Sequence, residues 1–279
     1  MLTRKFIESY KALMIIPLLV TLLALGIIFS NGLEQSVDLK GGSITEITLE
    51  KKISQTELKS LIEEKLNIKD VNVVSITGSE ATVQMGSEVQ VDQFANALEG
   101  TAKIKSYKSV GPILSKEAMK QIYWAVGFAF LFMSITVLIV FRNLVPSLAV
   151  IMAALCDIII ALGGMSAFKI PLSLASIGAI LMLIGYSVDT DILLTTRLLK
   201  QKKGKITERA IGAMKTGITM SAAAIAAMGA LYIVTVFIIP EAEVLSNIAA
   251  VLIIGLSADI ITTWLMNLGI LRWYLEAKQ

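Results

Sequence analysis

Histidine is absent from all 279 residues. The side chain that most often carries protons near neutral pH, or ligates a metal, is therefore unavailable, and proton chemistry falls to carboxylates. Cys156 is the only cysteine, which excludes an intrachain disulfide. Charged residues make up 17% of the chain, aromatics 6%, and there are five prolines. What fills the chain instead is aliphatic: 55% of residues are hydrophobic and the mean hydropathy is +0.75, well above a soluble globular composition.

The apolar residues come in runs. Uncharged stretches at 12–29, 121–141, 170–188 and 216–240 each approach the ~20 residues that a helix rising 1.5 Å per residue needs to cross about 30 Å of hydrocarbon. Two more, 143–168 and 244–271, each contain one aspartate, Asp157 and Asp259. The pattern predicts an α-helical membrane protein with six transmembrane helices. The first run lacks a small-residue cleavage site and precedes five more, so it is read as a retained helix.

Basic residues near the run ends set the orientation, because short basic loops stay cytoplasmic. Arg4, Lys5 and Lys11 precede the first run, and Arg142 joins the second and third. Arg197, Lys200, Lys202, Lys203, Lys205 and Arg209 join the fourth and fifth, and Arg272 and Lys278 follow the sixth. The opposite loops hold Lys169 and the acidic pair Glu241 and Glu243. The protein is expected in the cytoplasmic membrane, with both termini cytoplasmic and 31–116 outside. The lysine-rich loop adds contact with acidic membrane lipids as a second role.

Three domains follow: 1–30 with the first span, an extracytoplasmic domain at 31–116, and 117–279 with spans two to six. The middle segment has a nearly balanced charge, and its pattern is strand, helix, strand, strand, helix, strand. Ser43 opens a strand running to Glu50, Ser54 and Glu57 form a capping box, and Leu58, Leu61, Ile62 and Leu66 mark a helix face. Gly78-Ser79 turns a hairpin, Val91, Phe94, Ala95 and Leu98 mark a second helix face, and a strand at 103–110 closes the set. This order predicts an α+β ferredoxin-like domain. Val37 to Gly42 lacks Walker spacing and reads as a turn rather than a phosphate loop. No catalytic constellation stands out, so no enzymatic activity, metal or cofactor is expected, and no nucleic-acid partner.

Gly185-Tyr186-Ser187-Val188-Asp189-Thr190-Asp191 places two carboxylates at the inner end of the fourth run. A charge in hydrocarbon costs roughly 2.5–3.5 kcal/mol on insertion scales, so such residues are paired, buried in a bundle, or functional. Asp189 lies eight residues before Arg197, about 12 Å inward, and Lys215 lies six residues after Arg209, about 9 Å inward. The two levels are similar, which predicts an Asp189–Lys215 pair between consecutive helices. Gly178, Met182, Gly185 and Asp189 share a stripe of the kind that permits close helix contact, so Asp189 is expected to face the bundle. Asp191 is about 200° away, with Ser187 and Thr195, and is expected at the partner or cytoplasmic surface. Asp157 and Asp259 either extend a proton path or bond hydroxyls across helices. Thr216, Thr219 and Ser221 are read as interhelix hydrogen bonders.

Asp38 to Gly42 after the first run, Val110-Gly111-Pro112 before the second, and the Gly185 to Asp191 motif together resemble the SecD/SecF family of protein-export membrane proteins, on its SecF side and nearest its archaeal form, within the resistance-nodulation-division superfamily. The resemblance covers essentially the whole chain. It implies pairing with SecD, assistance to a SecYEG-type channel, contact with exported polypeptides, and coupling to the proton-motive force through buried carboxylates. The family motif maps onto Asp38, Gly41, Gly42, Gly111, Pro112, Gly185, Tyr186, Ser187 and Thr190. The bacterial pattern in the fourth helix is Gly-Tyr-Ser-Ile-Asn-Asp-Thr, so Asp189 takes the Asn position, Thr190 the Asp position and Asp191 the Thr position. Lys215-Thr216 stands where bacterial members carry Arg-Thr. The carboxylate is thus offset by one residue, about 100° of helix, and Asp189 and Lys215 are read as a proton-sensitive pair, against a static ion pair. Two further readings are half of a small-molecule or lipid exporter of the same superfamily, and a passive assembly scaffold.

Overall fold

A computed structural model describes residues 14–51, 53–201, 204–239 and 242–278. Arg4, Lys5, Lys11, Lys202, Lys203 and Glu241, which contribute to the orientation argument, lie outside the described residues, as does the start of the first apolar run. The chain forms two compact units: residues up to Glu34 together with those from Trp124 onward, and Gln35–Tyr123.

The second unit starts with a single helical turn, α2 (Val37–Lys40), where the sequence suggests a plain turn. Gly41 and Gly42 follow with φ of 83° and 121°, and a Cβ at Gly42 would strike the Met85 carbonyl. The Gly-Gly pair therefore serves a positive-φ entry and a close backbone approach, with no phosphate role required. Asp38 makes an ion pair with Lys108 at 2.6 Å, fastening α2 to the last strand. The strands are β1 (Gly42–Leu49), β2 (Val71–Thr77), β3 (Glu80–Met85) and β4 (Ala102–Val110), in the sheet order β2-β3-β1-β4, antiparallel throughout. Helices α3 (Gln55–Leu66) and α4 (Val91–Ala97) connect them. Leu58, Ile62, Phe94 and Leu98 pack with Ile47, Val83 and Met85 into one core. The expected apolar face of α4 holds only in part: Val91 and Ala95 are exposed and Ala97 is buried, because the helix spans just seven residues and its last turn, not its first, meets the sheet.

The α3 start is the capping box its sequence announces. The Glu57 N–H donates to Ser54 Oγ at 3.3 Å, and the Ser54 N–H donates to Glu57 Oε2 at 3.0 Å. That N–H, and next the Ser54 hydroxyl, hold the exposed Glu57 carboxyl below the usual glutamate range. The sign follows: a depressed folded value adds stability above the unfolded value, and the contribution disappears as pH falls through the folded one. Ser54→Ala is expected to cost about 1 kcal/mol of domain stability. The variant keeps the residue-54 N–H and loses only the hydroxyl, so its Glu57-dependent acid slope should shrink without vanishing, read by urea unfolding between neutral and acid pH.

The first unit is helical, and α5 (Pro112–Phe141) enters it from the second unit at Trp124. Helices α5, α6 (Leu144–Phe168), α7 (Leu174–Lys200), α8 (Ile206–Phe237) and a composite last run, Glu243–Ala277, are each long and apolar enough to cross a membrane. The shorter apolar helix α1 (Ile15–Asn31) has 17 residues. The protein is thus multi-pass. Pro112 occupies the first position of α5, where its missing N–H costs nothing. The α7 helix starts four residues after the apolar run begins because Ser173 and Ser176 cap it reciprocally, at 3.1 and 2.7 Å.

Glycines set the helix approaches. A Cβ at Gly163 on α6 would lie 2.5 Å from Ala24 Cβ and 2.8 Å from Ala24 Cα on α1. Cβ atoms at Gly217 on α8 and Gly255 in the last run would meet Trp264 and Leu183. The last run is interrupted: α9 (Glu243–Ile261) passes into a π-helical segment, Thr262–Asn267, before α10 (Leu268–Ala277).

Candidate functional site

Three carboxyl groups meet in the middle of the helical unit: Asp157 from α6, Asp191 from α7 and Asp259 from α9, at 1%, 0% and 0% exposure. The hydroxyls of Ser187 on α7 and Thr262 in the π segment donate to Asp157 Oδ2 and Oδ1, both at 2.5 Å. Asp191 Oδ1 accepts from Thr263 Oγ1 at 2.8 Å and from Asn267 Nδ2 at 2.6 Å. The same Thr263 hydroxyl reaches Asp259 Oδ1 at 3.0 Å.

The π segment supplies this arrangement. Its Leu268 N–H bonds to Thr263 O, five residues back, which widens the helix locally. Thr262, Thr263 and Asn267 are all fully buried and all reach carboxylates on neighbouring helices. Single-turn π segments recur at functional positions for this reason.

Thr263 decides what the cluster can do. A hydroxyl has one proton, so it cannot donate to Asp191 and Asp259 at once. Both contacts are satisfied together only if one carboxyl carries a proton and donates back. Among the described residues no lysine or arginine pairs with any of the three carboxyls. Burying three unpaired negative charges has a prohibitive desolvation cost. Asp191 Oδ2, Asp259 Oδ2 and Asn267 Oδ1 are buried without a hydrogen-bond partner, leaving open acceptor positions beside the cluster.

This placement reverses the sequence expectation for the two α7 aspartates. Asp189 is exposed, together with Gly178, Met182 and Gly185, and no side chain would meet a Cβ at either glycine within 4 Å. Lys215 is exposed as well, and no Asp189–Lys215 ion pair forms. The polar stripe Ser187, Asp191, Thr195 is the face that turns inward, because a membrane bundle buries polar groups and leaves apolar and small ones outside. The α7–α8 tie is made elsewhere: Arg197 Nη2 donates to Thr216 Oγ1 at 3.1 Å, and Arg209 Nη1 donates to the Leu198 carbonyl at 2.8 Å. Thr219, expected to bond across helices, donates to its own helix at Lys215 O. Thr190 is fully buried, and its methyl lies beside Gly217. Thr262, Thr263 and Asn267 are not among the residues the sequence singles out. The signal that finds Thr263 and Asn267 is a hydroxyl and an amide four residues apart in an apolar run.

A family model described as protein export membrane protein SecD/SecF, C-terminal, matches residues 90–277. The protein-export membrane protein SecF of Methanothermobacter thermautotrophicus is 67% identical over 274 residues, covering 98% of this chain and 96% of its own length. That of Methanocaldococcus jannaschii is 42% identical, covering 96% and 97%. Among solved structures, SecDF of Thermus thermophilus, a translocon-associated membrane protein, superposes with a TM-score of 0.77 at 19% identity. It covers 97% of this chain, which spans 38% of the length of the SecDF chain.

Proposed function

The chain belongs to the SecD/SecF family of protein-export membrane proteins, and from that premise we propose that it is the SecF-type subunit of a SecD–SecF pair that assists a SecYEG-type channel. The pair uses the proton-motive force, and the buried carboxyls Asp157, Asp191 and Asp259 take up and release the protons. The observation that carries this reading is the Thr263 hydroxyl shared by two buried carboxyls with no cation beside them. A proton arriving or leaving there changes which groups donate, and so changes the bonds joining α7 to the π segment.

The topology extends the same reading. α1 is the sixth span, its 17 described residues being at the short end of the membrane-crossing range. Residues 31–116 form an extracytoplasmic domain of ferredoxin-like type, supported by the β2-β3-β1-β4 order and the alternation of strands and helices. Both termini are cytoplasmic, where Arg142, Arg197, Lys200, Lys205 and Arg209 also gather. Exported polypeptides meet the outer domain.

Asp189 and Lys215 take a different role from the one their spacing suggests. Charged side chains on the outer face of membrane helices need a cover. SecD supplies it, seated on the exposed Gly178, Met182, Gly185 and Asp189 stripe.

The test is reconstitution of this chain with SecD and the channel in proteoliposomes, with export of a preprotein followed in the presence and absence of an imposed proton gradient. Export should rise with the gradient and fall to the ungated level when a protonophore collapses it. Equal export under both conditions would reduce the carboxyl cluster to a structural device.

A further inference from the structure

A cavity of about 450 Å³ opens at one end of the helical unit, in the size range of small-molecule sites. It is framed by helix termini on one side of the bundle: the end of α6 and the following loop, the last turns of α8 at Tyr232, and the start of α9. In a multi-pass protein such a ring of termini lies at the border between head groups and hydrocarbon.

Polarity along the cavity is graded. The α9 lining reads Ser246, Asn247, Ala250, Ile253, Ile254, one helix face in order of depth, with Ile254 about 12 Å beyond Ser246. Hydroxyl and amide come first, aliphatic carbon last. At the apolar end Gly164 admits Ile254 close to α6, where a Cβ would lie 2.6 Å from Ile254 Cγ2. At the mouth, Lys169 caps α6 in the left-handed region, φ 55°, with its side chain exposed and in no ion pair with the described residues. Glu243 shares that rim.

We propose that this cavity is a lipid site: it holds one membrane lipid by a phosphate-bearing head group against Lys169, with one hydrocarbon chain descending along Ala250, Ile253 and Ile254. The match is in the order of the groups. A cation at the head-group level, hydrogen-bonding side chains just below it, and an apolar floor repeat the profile of a phospholipid from phosphate to chain. A free phosphate would use the rim and leave the aliphatic floor bare, so the floor selects an amphiphile. Tyr232, a residue type that gathers at membrane interfaces, lines the cavity as well. The inference needs only that the chain spans a membrane, so it stands apart from the export reading.

The test uses the full-length chain in mild detergent with a fluorescent phosphatidylglycerol, followed by anisotropy and by native mass spectrometry. One retained lipid per chain is expected. Lys169→Gln, on an exposed side chain and checked for an unchanged unfolding temperature, should weaken binding about fivefold, the scale of one lysine at a lipid surface. Ala250→Trp should fill the cavity and abolish binding while the unfolding temperature holds. Inorganic phosphate should fail to displace the lipid at concentrations where unlabelled phosphatidylglycerol succeeds. Unchanged binding in Lys169→Gln, or in a folded Ala250→Trp, overturns the site. Displacement by inorganic phosphate overturns the lipid assignment in favour of a simple anion site.

Discussion

Asp191→Leu is expected to destabilise the helical unit by a few kcal/mol, whereas Asp189→Leu, two residues away, leaves its stability unchanged. Asp191 is fully buried and accepts hydrogen bonds from Thr263 and Asn267. Leucine removes the acceptor: the Asn267 amide is left buried without this partner, at a cost of about 1–3 kcal/mol, and the branched side chain has to fit where a carboxyl sat, while the Thr263 hydroxyl keeps Asp259. Marginal stability leaves little to absorb that loss. Asp191→Asn separates the two roles of the carboxyl. The amide oxygen still accepts both bonds and the volume is unchanged, so the fold should survive, while the group can no longer bind or release a proton. Proton-driven export should then fall on the order of a hundredfold, the scale seen when a positioned proton carrier is removed. Asp189→Leu acts on the exposed face. Its expected effect is on copurification with SecD, with thermal unfolding of the isolated chain unchanged. The three variants are compared by thermal unfolding in detergent, by copurification, and by gradient-dependent export. A folded Asp191→Asn protein with full gradient dependence would remove Asp191 from the proton path.

The second large effect is steric. Any side chain at Gly163 places its Cβ 2.8 Å from the Ala24 backbone and 3.1 Å from the Ala24 carbonyl oxygen, so α1 and α6 must separate. Overpacking by a methylene or two costs about 1–3 kcal/mol where neighbouring side chains can adjust, and backbone cannot move aside in that way. Gly163→Leu is therefore expected to exceed that range and to detach α1, whose C-terminal Gly32 carbonyl also accepts from Ser166 Oγ on α6 at 2.6 Å. The readout is a cysteine crosslink between α1 and α6, present in the parent and lost in the variant, alongside a lowered unfolding temperature. Gly178→Leu and Gly185→Leu serve as controls within the same chain. Nothing lies within 4 Å of a Cβ at either position, so the isolated protein should keep both its crosslink and its stability. If Gly163→Leu behaved like them, the close approach of the two helices would be wrong.

Glycine alone was thus a poor guide to which helix face turns inward. The Gly178, Gly185 and Asp189 stripe looks like a packing seam in the sequence, since small residues admit close helices. In the structure that stripe is exposed, and the seams are made by Gly163, Gly217 and Gly255, which carry no better local signal. The better guide was polarity. Ser187, Asp191 and Thr195 recur every four residues, and in hydrocarbon a polar stripe must face other polar groups.

Legibility in the sheet-containing unit, Gln35–Tyr123, was higher because its cues are local. The capping box at Ser54 and Glu57, the hairpin glycine at Gly78 and the strand alternation each act within a few residues, and the structure follows them closely. The short helix α4 was the exception, since seven residues have too little periodicity to fix a face.

By itself, the sequence determined the membrane character, the five apolar helices long enough to cross a membrane, the small sheet-containing unit between the first two apolar runs, and the family. Each rests on composition, run length or a contiguous motif, and these survive whatever the helices do in three dimensions. Only the tertiary structure decided which aspartates meet. Asp157, Asp191 and Asp259 are separated by 34 and 68 positions, and what joins them is helix rotation together with a π segment at Thr262–Asn267. Rotation is set by the packing of neighbouring helices, and the extra residue in a helical turn leaves no mark in an apolar run.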